Sequence, residues 1–178
     1  DFGRHVVEIR QVRIRAVVAE EMRLRAREQR RAFVDLIERI GHHDQRVARE
    51  GLLLKTNMVV SGYDSADQAD VETVADETIR ALENTVPAAV PGVGFLAGGM
   101  SDEDATARLN AMNKRGPHPW ELSFSYGRAL QAPALKAWQG ETANVEAAQQ
   151  AFYRRAKFNG AARSGSYAPE WEQEEVPA

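Results

Sequence analysis

Three times between residues 52 and 138 the chain passes from a short apolar run, through a glycine turn, into a stretch with helical periodicity. The first run is Leu52-Leu53-Leu54 with Met58-Val59-Val60, interrupted by Lys55 and closed by Ser61-Gly62. Val71, Val74, Ala75, Thr78, Ile79 and Leu82 then recur on one helical face, with Pro87 beyond its end. The second run is Val93 to Ala97, closed by Gly98-Gly99. Ser101 and Asp104 approximate a capping box, and Ala105, Leu109 and Met112 form the apolar stripe of the helix that follows. The third run is Trp120 to Tyr126, closed by Gly127. It leads into a helix over about 128–138, ended by Gly140. A last helix is expected from Asn144 to Asn159, ended by Gly160.

Strands alternating with helices imply βαβ units and a parallel sheet, an α/β fold. Three strands by themselves leave exposed edges, which native sheets avoid. The region therefore reads as part of a barrel or of a doubly wound sheet. With 178 residues the chain is too short for a closed (β/α)8 barrel, which takes about 250.

The opening is of a different character. Residues 1–50 hold 12 Arg, no Lys and nine acidic residues, whereas the rest of the chain holds 11 basic and 17 acidic ones. Residues 1–45 are read as an Arg-rich, mostly helical segment: Glu20 to Arg31 is rich in helix formers, and Phe33, Leu36, Ile37 and Ile40 recur at helical spacing before Gly41. Val6 to Val18 alternates apolar and charged residues as a short strand would. Because Glu20, Glu21 and Glu28 are interspersed, the arginines read as a solvated helix face rather than a nucleic-acid patch. Residues 46–165 form the α/β part, and residues 166–178 read as a disordered acidic tail.

Composition narrows the classes. Hydrophobic residues make up 43% and charged residues 28%, enough to bury a core, and the net charge of -3 disfavours a nucleic-acid partner. No cysteine is present, which removes disulfides, thiolate metal sites and a Cys nucleophile and fits a cytoplasmic location. No apolar run approaches about 18 residues, so no membrane span is expected. The first residue is Asp1 rather than Met, as in a fragment.

The three strand ends carry the candidate chemistry. Lys55 stands among leucines. A lysine buried there would hold its ammonium at a cost, and a partly deprotonated amine can attack a ketone to form a Schiff base; a lysine at a strand mouth would instead extend its head to solvent. Ala97-Gly98-Gly99 leads into a helix start, where backbone N–H groups suit an anion, or simply forms a tight turn. Gly127-Arg128 repeats the arrangement with a guanidinium that suits phosphate oxygens. In barrels, phosphate is frequently bound by the loops after the last two strands. His42-His43-Asp44 could be metal ligands but reads as a solvated loop, and Trp120, Trp138 and Trp171 read as packing residues.

The residues at these ends resemble a known family. Leu-Leu-Lys-Thr-Asn-Met-Val-Val at 53–60, Phe-Leu-Ala-Gly-Gly-Met-Ser-Asp-Glu-Asp-Ala at 95–105, Leu-Asn-Ala-Met-Asn at 109–113, Leu-Ser-Phe-Ser-Tyr-Gly-Arg-Ala-Leu-Gln at 122–131 and Ala-Leu-Lys-Ala-Trp at 134–138 resemble class I fructose-bisphosphate aldolase. The resemblance runs from about residue 44 to about residue 165. It implies a (β/α)8 barrel of which these strands are the sixth, seventh and eighth. It implies reversible cleavage of fructose 1,6-bisphosphate to dihydroxyacetone phosphate and glyceraldehyde 3-phosphate, with no metal or cofactor. By it, Lys55 is the Schiff-base lysine, and Ala97, Gly98, Gly99, Gly127 and Arg128 hold a substrate phosphate. A homotetramer is common in the family.

The departures from the family set further expectations. Ala97 stands where the family usually has Ser, so one hydroxyl contact to phosphate is lost. Thr56 replaces a frequent Pro. No Glu-Pro-Glu-like strand end, which would supply the general acid/base, occurs in residues 1–50. An Arg-rich, Lys-free opening joined to this match suggests a frameshift or a truncated gene, and an aldolase fragment inactive by itself; the alternative is a non-catalytic aldolase remnant or phosphate-binding module. The chain ends without the C-terminal Tyr of many animal members.

Overall fold

The computed structural model describes residues 15–16, 48–62 and 64–173. The readings of residues 1–45 as mostly helical and of His42-His43-Asp44 as a loop lie outside these residues. Within the Val6 to Val18 stretch, Arg15–Ala16 (β1) is extended and pairs in parallel with Val60–Ser61 (β3).

The main sheet is parallel and has three strands, β2 (Leu53–Asn57), β4 (Gly92–Leu96) and β5 (Glu121–Phe124), in that spatial order. Helix α1 (Val71–Glu83) connects β2 and β3 to β4, and α2 (Asp102–Lys114) connects β4 to β5. Helices α3 (Arg128–Trp138) and α4 (Val145–Arg163) follow. Asp70 caps α1 by accepting from the Thr73 N–H at 2.7 Å, and Ser101 caps α2 by accepting from the Asp104 N–H at 3.0 Å. The expected strand-helix alternation is thus present as a partial parallel sheet with its helices.

Register gives the sheet two unlike faces. Leu54, Val93 and Leu122 stand side by side, as do Thr56, Phe95 and Phe124. These rows pack on the helices. There they join Val74, Ile79 and Leu82 of α1, Leu109 and Met112 of α2 and Phe158 of α4 in one hydrophobic core. The opposite rows are Leu53, Gly92, Glu121 and Lys55, Gly94, Ser123. Strand side chains alternate between faces, so a parallel strand with helices on one side only presents half its residues to the open side. Leu53 is accordingly 54% exposed, and Lys55 is exposed as well.

Two boundaries differ from the sequence reading. Helix α4 does not stop at Gly160 but runs to Arg163. Phe158, Asn159 and Ala162 are buried, and the Asn113 side chain of α2 donates to the Ala162 carbonyl at 3.1 Å. Packing of this face outweighs the helix penalty of a single glycine, about 1 kcal/mol. The turn falls instead at Gly165, whose φ of 68° suits glycine. Nor is the segment after residue 166 a solvated tail over its described length. Tyr167 is 2% exposed, and Pro169–Gln173 forms a 3-10 turn. The rings of Phe158, Tyr167 and Trp171 meet with centroids 5.8 to 6.1 Å apart. Three aromatic rings offer enough apolar area to hold a segment that its glutamates alone would send to solvent.

Candidate active site

The C-terminal ends of β2, β4 and β5 converge on one edge of the sheet. Beyond the strand itself, the Ser125 N–H donates to the Phe95 carbonyl at 2.7 Å, carrying the β4–β5 pairing up to the two glycine loops. Tyr126 is buried, and its hydroxyl donates to the Ala105 carbonyl in the first turns of α2 at 2.8 Å. Burial pushes this phenol well above its ordinary range, with Arg155 and Arg108 opposing, so it remains a donor. The Gly127-Arg128 turn is thereby fastened to the helix that the Ala97-Gly98-Gly99 turn begins.

Each turn opens a helix. Gly99 has a φ of 83°, which a side chain would strain, and the Met100 N–H donates back to the Ala97 carbonyl at 3.4 Å. Gly127 is the N-cap of α3 and carries no capping side chain; the Leu130 and Gln131 N–H groups donate to its carbonyl. Helix starts leave their first N–H groups without intrahelical partners, and the dipole there favours an anion. Ala97 and Gly98 are half-buried, whereas Gly99, Gly127 and Arg128 are exposed. An anion has open access to both turns.

Lys55 lies on the same sheet face as Gly94 and Ser123, its register neighbours. Gly94 places no side chain beside it. Of the two placements the sequence left open for Lys55, buried among leucines or extended to solvent, the structure has the second: Leu54 points to the helix side with 4% exposure, and alternation sends Lys55 to the open side. Its amine is free to meet a solute.

Asn57, which the sequence reading passed over, completes this edge. It ends β2 two residues after Lys55 and is 9% exposed. A Cβ added at Gly98 would stand 3.6 Å from its Nδ2 and 3.8 Å from its Oδ1. Nothing in the local pattern singles it out, because its environment is made by the β4 loop. Among the described residues no three His, Asp or Glu side chains gather as metal ligands, and no helix is long and apolar enough to cross a membrane. An open apolar groove of about 420 Å³ lies elsewhere, between α3 and α4, lined by Trp138, Val145, Ala148, Gln149 and Phe152.

A strand-borne lysine and two glycine-bounded helix starts thus share one edge of a parallel α/β sheet. The family model for fructose-bisphosphate aldolase class-I matches residues 34–177, and the chain belongs to that family. It is 55% identical over 125 residues to fructose-bisphosphate aldolase 1 of Toxoplasma gondii, covering 70% of this chain and 34% of that protein. It is also 55% identical over 125 residues to the cytosolic fructose-bisphosphate aldolase 4 of Arabidopsis thaliana, covering 70% of this chain and 32% of that protein. Among solved structures, it is similar to fructose-bisphosphate aldolase from Plasmodium falciparum, crystallised with TRAP and a small-molecule inhibitor. The TM-score is 0.73 and the identity 42%, over 78% of this chain and 41% of that one. The neighbour has the TIM-barrel fold, and the present sheet is a three-stranded part of such a barrel. The chain spans about a third of the length of the curated relatives it matches.

Proposed function

We propose that this chain carries the Schiff-base lysine and the phosphate site of a class I fructose-bisphosphate aldolase. The observation that carries the reading is the placement of Lys55. It faces an open sheet surface next to Gly94, on the strand whose end meets the Gly98-Gly99 turn. The neutral amine of Lys55 adds to the ketone carbon of fructose 1,6-bisphosphate or dihydroxyacetone phosphate. Loss of water leaves an iminium, which draws the electron pair of the C3–C4 bond as it breaks. The N–H groups at Ala97, Gly98 and Gly99, with Gly127 and the Arg128 guanidinium, take the phosphate. Removal of the proton from the C4 hydroxyl needs a general base, which the motifs of this chain do not provide. The chain alone therefore binds and forms the iminium without turning over, and an added N-terminal aldolase half restores turnover.

Assembly as a homotetramer and a cytoplasmic location are parts of the same proposal. The cytosolic Arabidopsis relative supports the location. Incubation with dihydroxyacetone phosphate, reduction with borohydride and mass spectrometry test the central claim. The expected result is one adduct, on Lys55. No adduct, with a full-length aldolase as positive control, would overturn it and leave a non-catalytic phosphate-binding module.

A further inference from the structure

We propose that Asn57 contacts the ligand, and that its carboxamide hydrogen-bonds the hydroxyketone part of a sugar phosphate whose phosphate rests on the Gly98-Gly99 turn. The proposal depends on the reading of that turn as a phosphate site. Its own evidence is separate. Asn57 is 9% exposed, and its Oδ1 is fully enclosed yet has no hydrogen-bond partner among the described residues. Buried side-chain acceptors are satisfied in the large majority of cases, and the exceptions call for a cause. An apolar residue would fill the same space without leaving an acceptor stripped of water.

Position supplies the cause. Asn57 stands in register with Leu96, the last residue of β4 before the glycine loop, and its amide lies against Gly98. Along the strand it is two residues from Lys55, about 7 Å at strand rise, and on the same side. A ligand joined to Lys55 through a carbonyl carbon and held at Gly98 through a phosphate therefore passes over Asn57. With no partner to fix its orientation, the amide can turn its oxygen to a hydroxyl or its nitrogen to a carbonyl or ether oxygen. Among the described residues, the other enclosed unpartnered side-chain atoms are Arg108 Nε, Arg155 Nε and Asn159 Nδ2, and none of them lies on this sheet face.

The test compares wild type with Asn57→Ala, and with Asn57→Ser should the alanine variant fail to fold. Binding of inorganic phosphate and of dihydroxyacetone phosphate is measured by calorimetry on the full chain, alongside thermal midpoints and borohydride trapping. The expected result is about a tenfold loss of affinity for dihydroxyacetone phosphate, the size of one hydrogen bond. Phosphate affinity stays unchanged, and the thermal midpoint is equal or higher. Unaltered affinity for dihydroxyacetone phosphate overturns the proposal. So does an equal loss for both ligands with a lowered midpoint, which is the signature of a purely structural role. Absence of any binding by wild type overturns it together with the phosphate reading. A Lys55 adduct that is insensitive to the variant overturns this proposal alone. Asn57-dependent binding without an adduct overturns only the Schiff-base reading.

Discussion

The Nη1 of Arg155 donates to Oε1 of Glu172 at 2.6 Å, and the two side chains are 5% and 17% exposed. The same guanidinium donates from Nη2 to the Asp102 carbonyl at 2.8 Å and to Thr106 Oγ1 at 2.6 Å. Tyr167 gives its hydroxyl hydrogen to Glu172 Oε1 at 3.0 Å. The last described turn is thus joined, through one buried cation, to the first turn of the helix that the Gly98-Gly99 loop begins.

Removing the anion should be costly. Glu172→Ala leaves the Arg155 charge enclosed without its counterion, which typically costs about 3–5 kcal/mol. We expect the thermal midpoint to fall by roughly 10 °C for a domain of this size. Calorimetric melts of the two chains check it, and a change of only about a degree would show that Arg155 reaches solvent instead.

Lys55 should behave in the opposite way. It is exposed and its row faces the open side, so Lys55→Met should leave the melt almost unchanged, within about 0.5 kcal/mol. The same variant should abolish the borohydride adduct with dihydroxyacetone phosphate. Persistence of an adduct at another lysine would show that the trapping reports general amine chemistry.

The two loop glycines should differ. Gly99→Ala puts a Cβ on a residue with φ of 83° and should cost about 1–2 kcal/mol with weaker phosphate binding. Gly98→Ala meets Asn57 only at ordinary contact distance, 3.6 Å, so the fold should accept it. Parallel melts of the two variants decide between a conformational and a steric requirement.

Acid should weaken the start of α1. Hydrogen bonds from Thr73, its side chain first and its N–H second, hold the Asp70 carboxyl below the usual aspartate value. A lowered folded value means that stability is present above the ordinary pKa of about 3.9 and is lost as pH falls through the folded one. Asp70→Asn should remove this part of the acid dependence while keeping a cap. Amide exchange at Thr73 as a function of pH measures it directly; identical profiles would mean that the carboxylate adds nothing to the cap.

Much of the architecture is readable locally. Helix α3 falls on residues 128–138 as expected, because Gly127 precedes it and Gly140, with φ of 82°, follows. The site turns were legible for a similar reason: Gly98, Gly99 and Gly127 punctuate the strand ends, and at Gly99, with φ of 83°, a side chain would be strained. Asn57 and Arg155 were not legible. Each is an ordinary polar residue in sequence, and each becomes enclosed only when a distant element packs on it: the β4 loop at Gly98 in one case, and the turn carrying Glu172 in the other.

The order of strands and helices, the glycine turns, the lysine and the family motifs follow from the amino-acid sequence alone, because periodicity, capping and backbone freedom act over a few residues. Tertiary structure decided which way Lys55 faces, that α4 continues through Gly160, and that Tyr167 and Trp171 bind the last described segment to Phe158. These outcomes depend on which face of the sheet the helices cover. Burial is a property of surfaces meeting across long separations in the chain, and no local pattern contains it.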